Sequence, residues 1–291
     1  LECIANGNIN LGATDIISMD VKVTRGTIQD FEKMFKSFLE KSVPWYPYDL
    51  TGQMSGVIAV SGKTDTSELV VLGDMEISNA DYRLEAFRQG TFRAGYVRGG
   101  FVAENISLQK KNGWIRGNVA VGANDVLKFD MHTDGFSTYD IDRLGLLYIP
   151  YRAPIAFEAQ GNGKIGALKG SLHFNVGAGI VKNYVVPSSD LTLQSDGVRL
   201  KAKASVFGGR GNAAMDLGWR KGDTSSFEGS SEKFDFLPAL VALNPAIASE
   251  PGISSEGSGG AKLQFRTGEM SRLSGVIDLK SFALLRPRSS V

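Results

Sequence analysis

The stretch "GVRLKAKASVFGG", residues 197–209, decides the fold. Val198, Leu200, Ala202, Ala204 and Val206 alternate with Arg199, Lys201, Lys203 and Ser205. A period of two puts one set on an apolar face of an extended strand and the other set on a wet face. The same alternation recurs along the chain. In "IISMDVKV" (16–23), Ile17, Met19, Val21 and Val23 oppose Ser18, Asp20 and Lys22. "VLKFDMHTDG" from Val126 sets Leu127, Phe129 and Met131 against Lys128, Asp130 and His132, and "AAMDLGWRKGD" sets Met215, Leu217 and Trp219 against Asp216 and Arg220. Turn signals such as "KKNG", "SDG", "GGRGN" and "RKGD" separate the runs. Antiparallel strands with one apolar and one solvated face follow, on the order of fifteen to twenty of them.

Composition agrees and excludes several functions. The 35 glycines among 291 residues lack a collagen period, and with so many Val, Ile, Leu and Phe they fit strands and tight turns. The 32 Lys and Arg nearly cancel the 31 Asp and Glu, so the charge gives no case for nucleic acid or another polyanion. One cysteine, Cys3, forbids an internal disulfide, and two histidines, His132 and His173, leave little for a metal centre. No apolar run is long enough to span a bilayer as a helix. No signal peptide is visible, and the chain begins at Leu1, as an excised portion of a longer protein would.

Helical periodicity occurs in three places. "TIQDFEKMFKSFLEKSVP" has Thr27 as N-cap, Asp30 three residues on, and a stripe of Ile28, Phe31, Phe35, Phe38 and Leu39 before Pro44. Its polar face mixes Asp30, Glu32, Lys33, Lys36, Glu40 and Lys41, which favours packing on the sheet over membrane contact. "YDIDRLGLLYIP" ends at Pro150, and "FDFLPALVALNPAIA" carries Leu237, Leu240 and Val241 on one side. Each helix precedes Gly-rich strands and then a Gly-x-apolar-x-apolar phrase: "GDMEISNADY" (73–82), "GSLHFNVGAG" (170–179) and "GVIDLKSFAL" (275–284). "NISLQKKNGWIRGNVAV" (105–121) is echoed by "DLTLQSDGVRLKAKASV" (190–206). The repeat period, roughly a hundred residues, exceeds that of the short solenoids. The expected division is 1–26, strands ending a preceding repeat; 27–135, a helix plus β-meander; 136–231, a second repeat; and 232–291, a third, truncated one, all within one continuous β domain.

A one-sided apolar sheet needs a cover, because at ~25 cal/mol per Å² its exposure would cost tens of kcal/mol. Two solutions stay open. Two sheets can pack as a solid sandwich. Alternatively, one long sheet curls until its apolar halves face each other across a groove. Aromatic residues at 9%, with small inward positions such as Val119, Val121, Ala159, Ala202 and Ala204, tilt toward the groove.

The order of an amphipathic helix, "DLTGQMSGVIAVSGKTDTSELVVLGDMEISNADY" and "GGFVAENISLQKKNGWIRGNVAV" resembles the TamB/AsmA-type repeat of Gram-negative envelope proteins, and "FLPALVAL…EGSGGAKLQFRTGEMSRLSGVIDLKSF" matches the same frame. The resemblance covers most of the chain and rests on glycine placement and periodicity. It implies a mostly β fold: a long, curled, taco-like antiparallel sheet with a hydrophobic groove and a few short helices. It also implies a periplasmic location, an inner-membrane anchor outside this chain, and phospholipid conduction toward the outer membrane. Some members act with an outer-membrane assembly barrel.

The residues expected to line such a groove come from every part of the chain. From the first third they are Ile17, Met19, Val21, Val23, Val71, Met75 and Ile77. From the middle they are Ile106, Leu108, Leu127, Phe129, Met131, Phe157, Leu172, Phe174, Leu191, Leu193, Val198 and Leu200. The last are Met215, Leu217, Leu263, Phe265, Ile277 and Leu279. Phospholipid acyl chains are the expected partner, with no cofactor and no metal. The competing reading is a structural or adhesive β-sandwich or β-solenoid with a solid core, or an assembly factor that binds protein. An enzyme is disfavoured because no nucleophile–base–orienter set can be assembled. "GNGKIG" (161–166) fits G-x-G-x-x-G, but strand rather than helix follows it, so turns or bulges are expected instead of a dinucleotide site. Asp15, Asp20, Glu76, Asp130 and Asp216, like both histidines, fall on outward faces, and the "NIS" sequon at Asn105 carries no weight.

Overall fold

The computed structural model describes all residues except 11–15, 34–48, 64–67, 123, 147–150, 165, 182–183, 236, 238–253 and 286–291. Sixteen strands form one antiparallel sheet that does not close into a barrel. Sheet order is chain order. It starts with β1 (Glu2–Asn10), β2 (Ile16–Thr27), β3 (Leu50–Lys63), β4 (Val70–Tyr82), β5 (Glu85–Val97), β6 (Gly100–Gln109), β7 (Trp114–Val121) and β8 (Val126–Asp134). It continues with β10 (Ile155–Lys164), β11 (Lys169–Val176), β14 (Ser189–Asp196), β15 (Arg199–Val206), β16 (Gly211–Gly218), β17 (Thr224–Phe234), β18 (Ser254–Arg266) and β19 (Glu269–Leu285). Three short strands, β9 (Tyr151–Arg152), β12 (Gly179–Val181) and β13 (Tyr184–Val186), leave the meander and pair as a separate small sheet. The chain groups into two compact units, Leu1–Asp134 with Gly161–Ile165, and Gly135–Gln160 with Gly166–Val291.

Helix is scarce among the described residues. Residues 28–33 form α1, begun by the expected box: the Thr27 hydroxyl accepts from the Asp30 N–H at 3.1 Å, and the Asp30 carboxylate accepts from the Thr27 N–H at 3.2 Å. The expected continuation through Phe35, Phe38 and Leu39 lies outside the described residues, as do Leu240 and Val241 of the third candidate helix. The second candidate is a 3-10 turn, Thr138–Asp140, followed by α2 (Asp142–Leu146).

In the first unit, strict alternation explains most of the face, and bulges explain the remainder. The register steps from Val23 to Gly26 on β2, and from Ser78 to Asp81 and from Ala103 to Ile106 on β4 and β6. The extra residues on β4 and β6 are Asn79 and Asn105, with φ of 49° and 51°. Asn visits this left-handed region more readily than most residues, and the Asn105 N–H is held by the Asn118 side-chain carbonyl at 2.8 Å. Each bulge shifts the alternation by one, so that Ile28, Ala80 and Leu108 return to the face already occupied by Val23, Ile77 and Ala103. Without the shift, every later side chain on the strand would turn to the other side. We expect Asn105→Val to destabilise the protein by roughly 1–2 kcal/mol, the cost of a β-branched residue at this φ, while Asn105→Gly leaves stability nearly unchanged. Denaturant midpoints of the two variants check this.

The sheltered side of this unit gathers Val23, Ile28, Met54, Ile58, Met75, Ile77 and Ala80, with Phe31 of α1 packed against them. Ile58 is 4% exposed and Ile28 3%. Burial of side chains of this size contributes about 1.5–3 kcal/mol each. In the second unit, Val181 and Val186 of the small sheet form a smaller cluster with Leu237, beside Tyr151 and Phe207. The substantial contacts between described strands all join hydrogen-bonded neighbours. Apart from the three short strands, the described strands all belong to one sheet, so two large separate sheets packed as a sandwich have no counterpart among them.

Candidate functional site

Cross-strand register shows which side chains share a face. In the first unit, Ile17, Met19, Val21 and Val23 of β2 stand opposite Gly62, Val60, Ile58 and Gly56 of β3. Val60 and Gly56 stand opposite Val71 and Met75, and Met54 opposite Ile77. The row continues through Phe92, Tyr96, Leu108 and Ile106 to Ile115, Gly117, Val119 and Val121. It ends on β8 with Met131, Phe129 and Leu127. One apolar face therefore crosses seven strands, a path of about 29 Å at ~4.8 Å per interval. That exceeds the ~15 Å of hydrocarbon in one bilayer leaflet.

In the second unit, Leu172 and Phe174 stand opposite Leu193 and Leu191. These face Ala202 and Ala204, and Leu200 and Ala202 face Leu217 and Met215. Met215 faces Phe227, which faces Leu263, while Phe265 faces Ser225. Ile277 and Leu279 face Ala261 and Gly259. Phe157 alternates with exposed Ala156 and Glu158 on β10 and is itself half-buried.

Among the expected lining residues, Val23, Met75 and Ile77 are buried within the first unit's cluster, whereas three others are exposed. Val198 precedes β15 in the turn, where its N–H donates to Asp196 Oδ1 at 2.8 Å, and it is 51% exposed. The alternation extends one step too far there because an Asx turn, held by Asp196, starts the strand at Arg199. Ile277 and Leu279 are 77% and 74% exposed: among the described strands β19 lies at the sheet edge, and its neighbour β18 offers Ala261 and Gly259. Sequence reasoning missed Met54, Ile58 and Val60 of β3. They alternate correctly, but Val57 and Ala59 are apolar as well and hide the period; Val57 is 45% exposed on the other face.

Methionine and glycine meet repeatedly on the first unit's apolar face: Gly7 with Met19, Gly56 with Met75, and Gly117 with Met131. Gly56 and Gly117 both have φ of 153°, and a Cβ at either would collide with a neighbouring carbonyl oxygen and with the methionine sulfur. The glycine makes room for a flexible, polarisable thioether, which suits a surface that must fit varied apolar shapes.

Polar groups close parts of this face. After the β6 bulge, Lys110 follows Leu108 on the apolar side. It is 2% exposed, its ammonium lies 2.7 Å from Glu85 Oε2, and it sits 4.8 Å from the Phe87 ring centroid. In the second unit, fully buried Ser225 accepts from the Gly218 N–H at 3.1 Å and lies 2.8 Å from Thr267 Oγ1, which donates to the Gly218 carbonyl at 2.9 Å. These pairs satisfy buried polar groups without placing a reactive group on the face.

The opposite face is solvated. His173 Nε2 lies 2.6 Å from Asp190 Oδ2, both roughly half exposed, and His132 stands opposite Arg116. No group of three His, Cys, Asp or Glu that could hold a metal occurs among the described residues. Asp20, Glu76 and Asp130 are exposed and Asp216 pairs with Arg199 at 2.7 Å, whereas Asp15 lies outside the described residues. The first part of "GNGKIG" runs as strand to Lys164, and β11 follows from Lys169 with no helix between.

One carboxylate makes a pH signature. The N–H groups of Arg199 and then Val198 hold Asp196 below the ordinary 3.8. A depressed carboxylate contributes stability that is full above 3.8 and is lost as pH falls through the lower folded value. Protection of the amides in the 196–199 turn, measured as exchange relative to the intrinsic rate at each pH, is therefore expected to fall as pH drops below about 4. Asp196→Asn should flatten that dependence in a hydrogen-exchange series.

No family model, no curated protein and no solved structure matches this chain.

Proposed function

We propose that this chain is a lipid-conducting segment: its apolar sheet face shields phospholipid acyl chains from water, and no covalent chemistry takes place. One observation carries the reading. Each unit presents an apolar face that is continuous from strand to strand, on a sheet that does not close into a barrel. A face of that kind in water is costly, and each CH₂ that covers it contributes about 0.8 kcal/mol. The attraction is non-directional, so a chain of methylenes gains by contact and meets no fixed polar partner that would stop it sliding. With the resemblance to TamB/AsmA-type repeats, the full-length setting we propose is an inner-membrane-anchored protein that crosses the periplasm of a Gram-negative cell, carrying phospholipid between the two membranes. Contact with an outer-membrane assembly barrel belongs to the same proposal.

Lipid extraction of the purified protein, followed by mass spectrometry, tests it. Stoichiometric phospholipid supports the reading. Protein free of lipid, yet soluble and folded, favours a structural or adhesive role through the outer edges of β1 and β19.

A further inference from the structure

The polar face of the first unit is not uniformly charged. A depression of about 460 Å³ opens over β2–β7. Register arranges the polar side chains in and beside it in two rows that run across the strands. The first row is Gln53, Ser78, Gln89, Gln109 and Trp114, each directly opposite the next. The second row is Ser55, Glu76, Thr91, Ser107 and Arg116. Each row spans five strands, about 19 Å at ~4.8 Å per interval.

The chemistry of these rows is narrow. Amides and hydroxyls dominate, and each can both donate and accept. The depression's single carboxylate, Glu76, is balanced by its single guanidinium, Arg25. The side chains of Gln53, Ser55, Ser78, Gln89, Thr91 and Ser107 hold no hydrogen-bond partner among the described residues, so their capacity faces outward. An indole, Trp114, stands at one end of the rows, with the Arg116 guanidinium 5.5 Å from its ring centroid. The second unit's depression is more charged, with Asp190, Lys203 and Glu228 beside Thr192, Ser205, Asn212 and Ser230, and it has no aromatic residue.

We propose that this depression binds a linear, neutral oligosaccharide laid across the strands. A polyanion would need a surplus of Lys and Arg, which the rows lack. An apolar ligand would have to desolvate six or more unpaired polar groups. A glycan instead brings hydroxyls that donate and accept at short, regular intervals, matching two ladders of amides and hydroxyls. Its C–H faces suit an aromatic platform at the end of the row. The site uses the face opposite the apolar one and does not rest on the lipid reading.

Isothermal titration of the intact chain with cellohexaose and with chitohexaose tests it. Binding of at least one is expected, with Trp114→Ala and Gln89→Ala each weakening it tenfold or more. The double variant Gln53→Ala/Thr91→Ala, which leaves the indole in place, should weaken it similarly while circular dichroism stays unchanged. Phe174→Asp, in the other unit and on the apolar face, should leave sugar affinity as it was. Absence of heat with both sugars at millimolar concentration overturns the proposal. So does affinity indifferent to all these row variants, or binding confined to an anionic heparin hexasaccharide.

Discussion

Phe174→Asp and Leu200→Asp are expected to lose bound phospholipid, by tenfold or more, while the sheet stays folded. Both side chains are half-buried on the second unit's apolar face, Phe174 opposite Leu191 and Leu200 opposite Leu217. Because both side chains are only half-buried, a carboxylate there can keep water and need not unfold the strand. An acyl chain lying over it would have to displace that water, at a cost on the order of several kcal/mol for an ionised group. That exceeds what a few covered methylenes return at about 0.8 kcal/mol each. Phospholipid phosphorus per mole of purified, folded variant measures the effect. Wild-type lipid content in both variants, with unchanged circular dichroism, would contradict acyl-chain contact at these positions.

Ile58→Asp in the first unit is expected to act on folding instead. Ile58 is 4% exposed, with Val21 and Gly73 opposite it and Val23, Met54, Met75 and Ile77 in its cluster. The substitution loses about 1.5–3 kcal/mol of apolar burial and leaves a buried charge with no partner, which costs about 3–5 kcal/mol. Their sum is comparable with the ~5–15 kcal/mol that holds a whole domain together. The variant should be insoluble, or should unfold at a far lower denaturant concentration than wild type. Ile58→Val, which removes one methylene, should cost only about 0.5–1.5 kcal/mol. A midpoint for Ile58→Asp near that of wild type would show that this cluster is wetter than its burial indicates.

The two substitutions separate the parts of the molecule that the sequence revealed to different degrees. Alternation in "RLKAKASV" and "IISMDVK" was enough to place Leu200 and Val21 on an apolar face, because a period of two leaves little freedom in a strand. The cover over that face was less legible. Ile28 and Phe31 announced themselves through the Thr27–Asp30 capping box, but Ile58 stayed hidden among Val57 and Ala59. The bulges were hidden for a different reason. Asn79 and Asn105 look like ordinary strand residues, and only their backbone conformation shows that the alternation shifts by one there. That shift carries Lys110 to the apolar side, beside Glu85 and Phe87, although "KKNG" reads as a plain exposed turn. The neutral rows through Gln89 and Thr91 could not be read at all without pairing, since their members come from five separate strands.

Photo-crosslinking from single positions tests the lipid reading most directly. A benzophenone side chain is placed at Phe129 or Leu193 on the apolar face, or at Asp130 or Lys203 on the opposite face, in protein exposed to labelled phospholipid. Lipid should be captured from Phe129 and Leu193 and only at background level from Asp130 and Lys203. Equal capture from both faces, or none from Phe129 and Leu193 in folded protein, would contradict an apolar face that carries acyl chains.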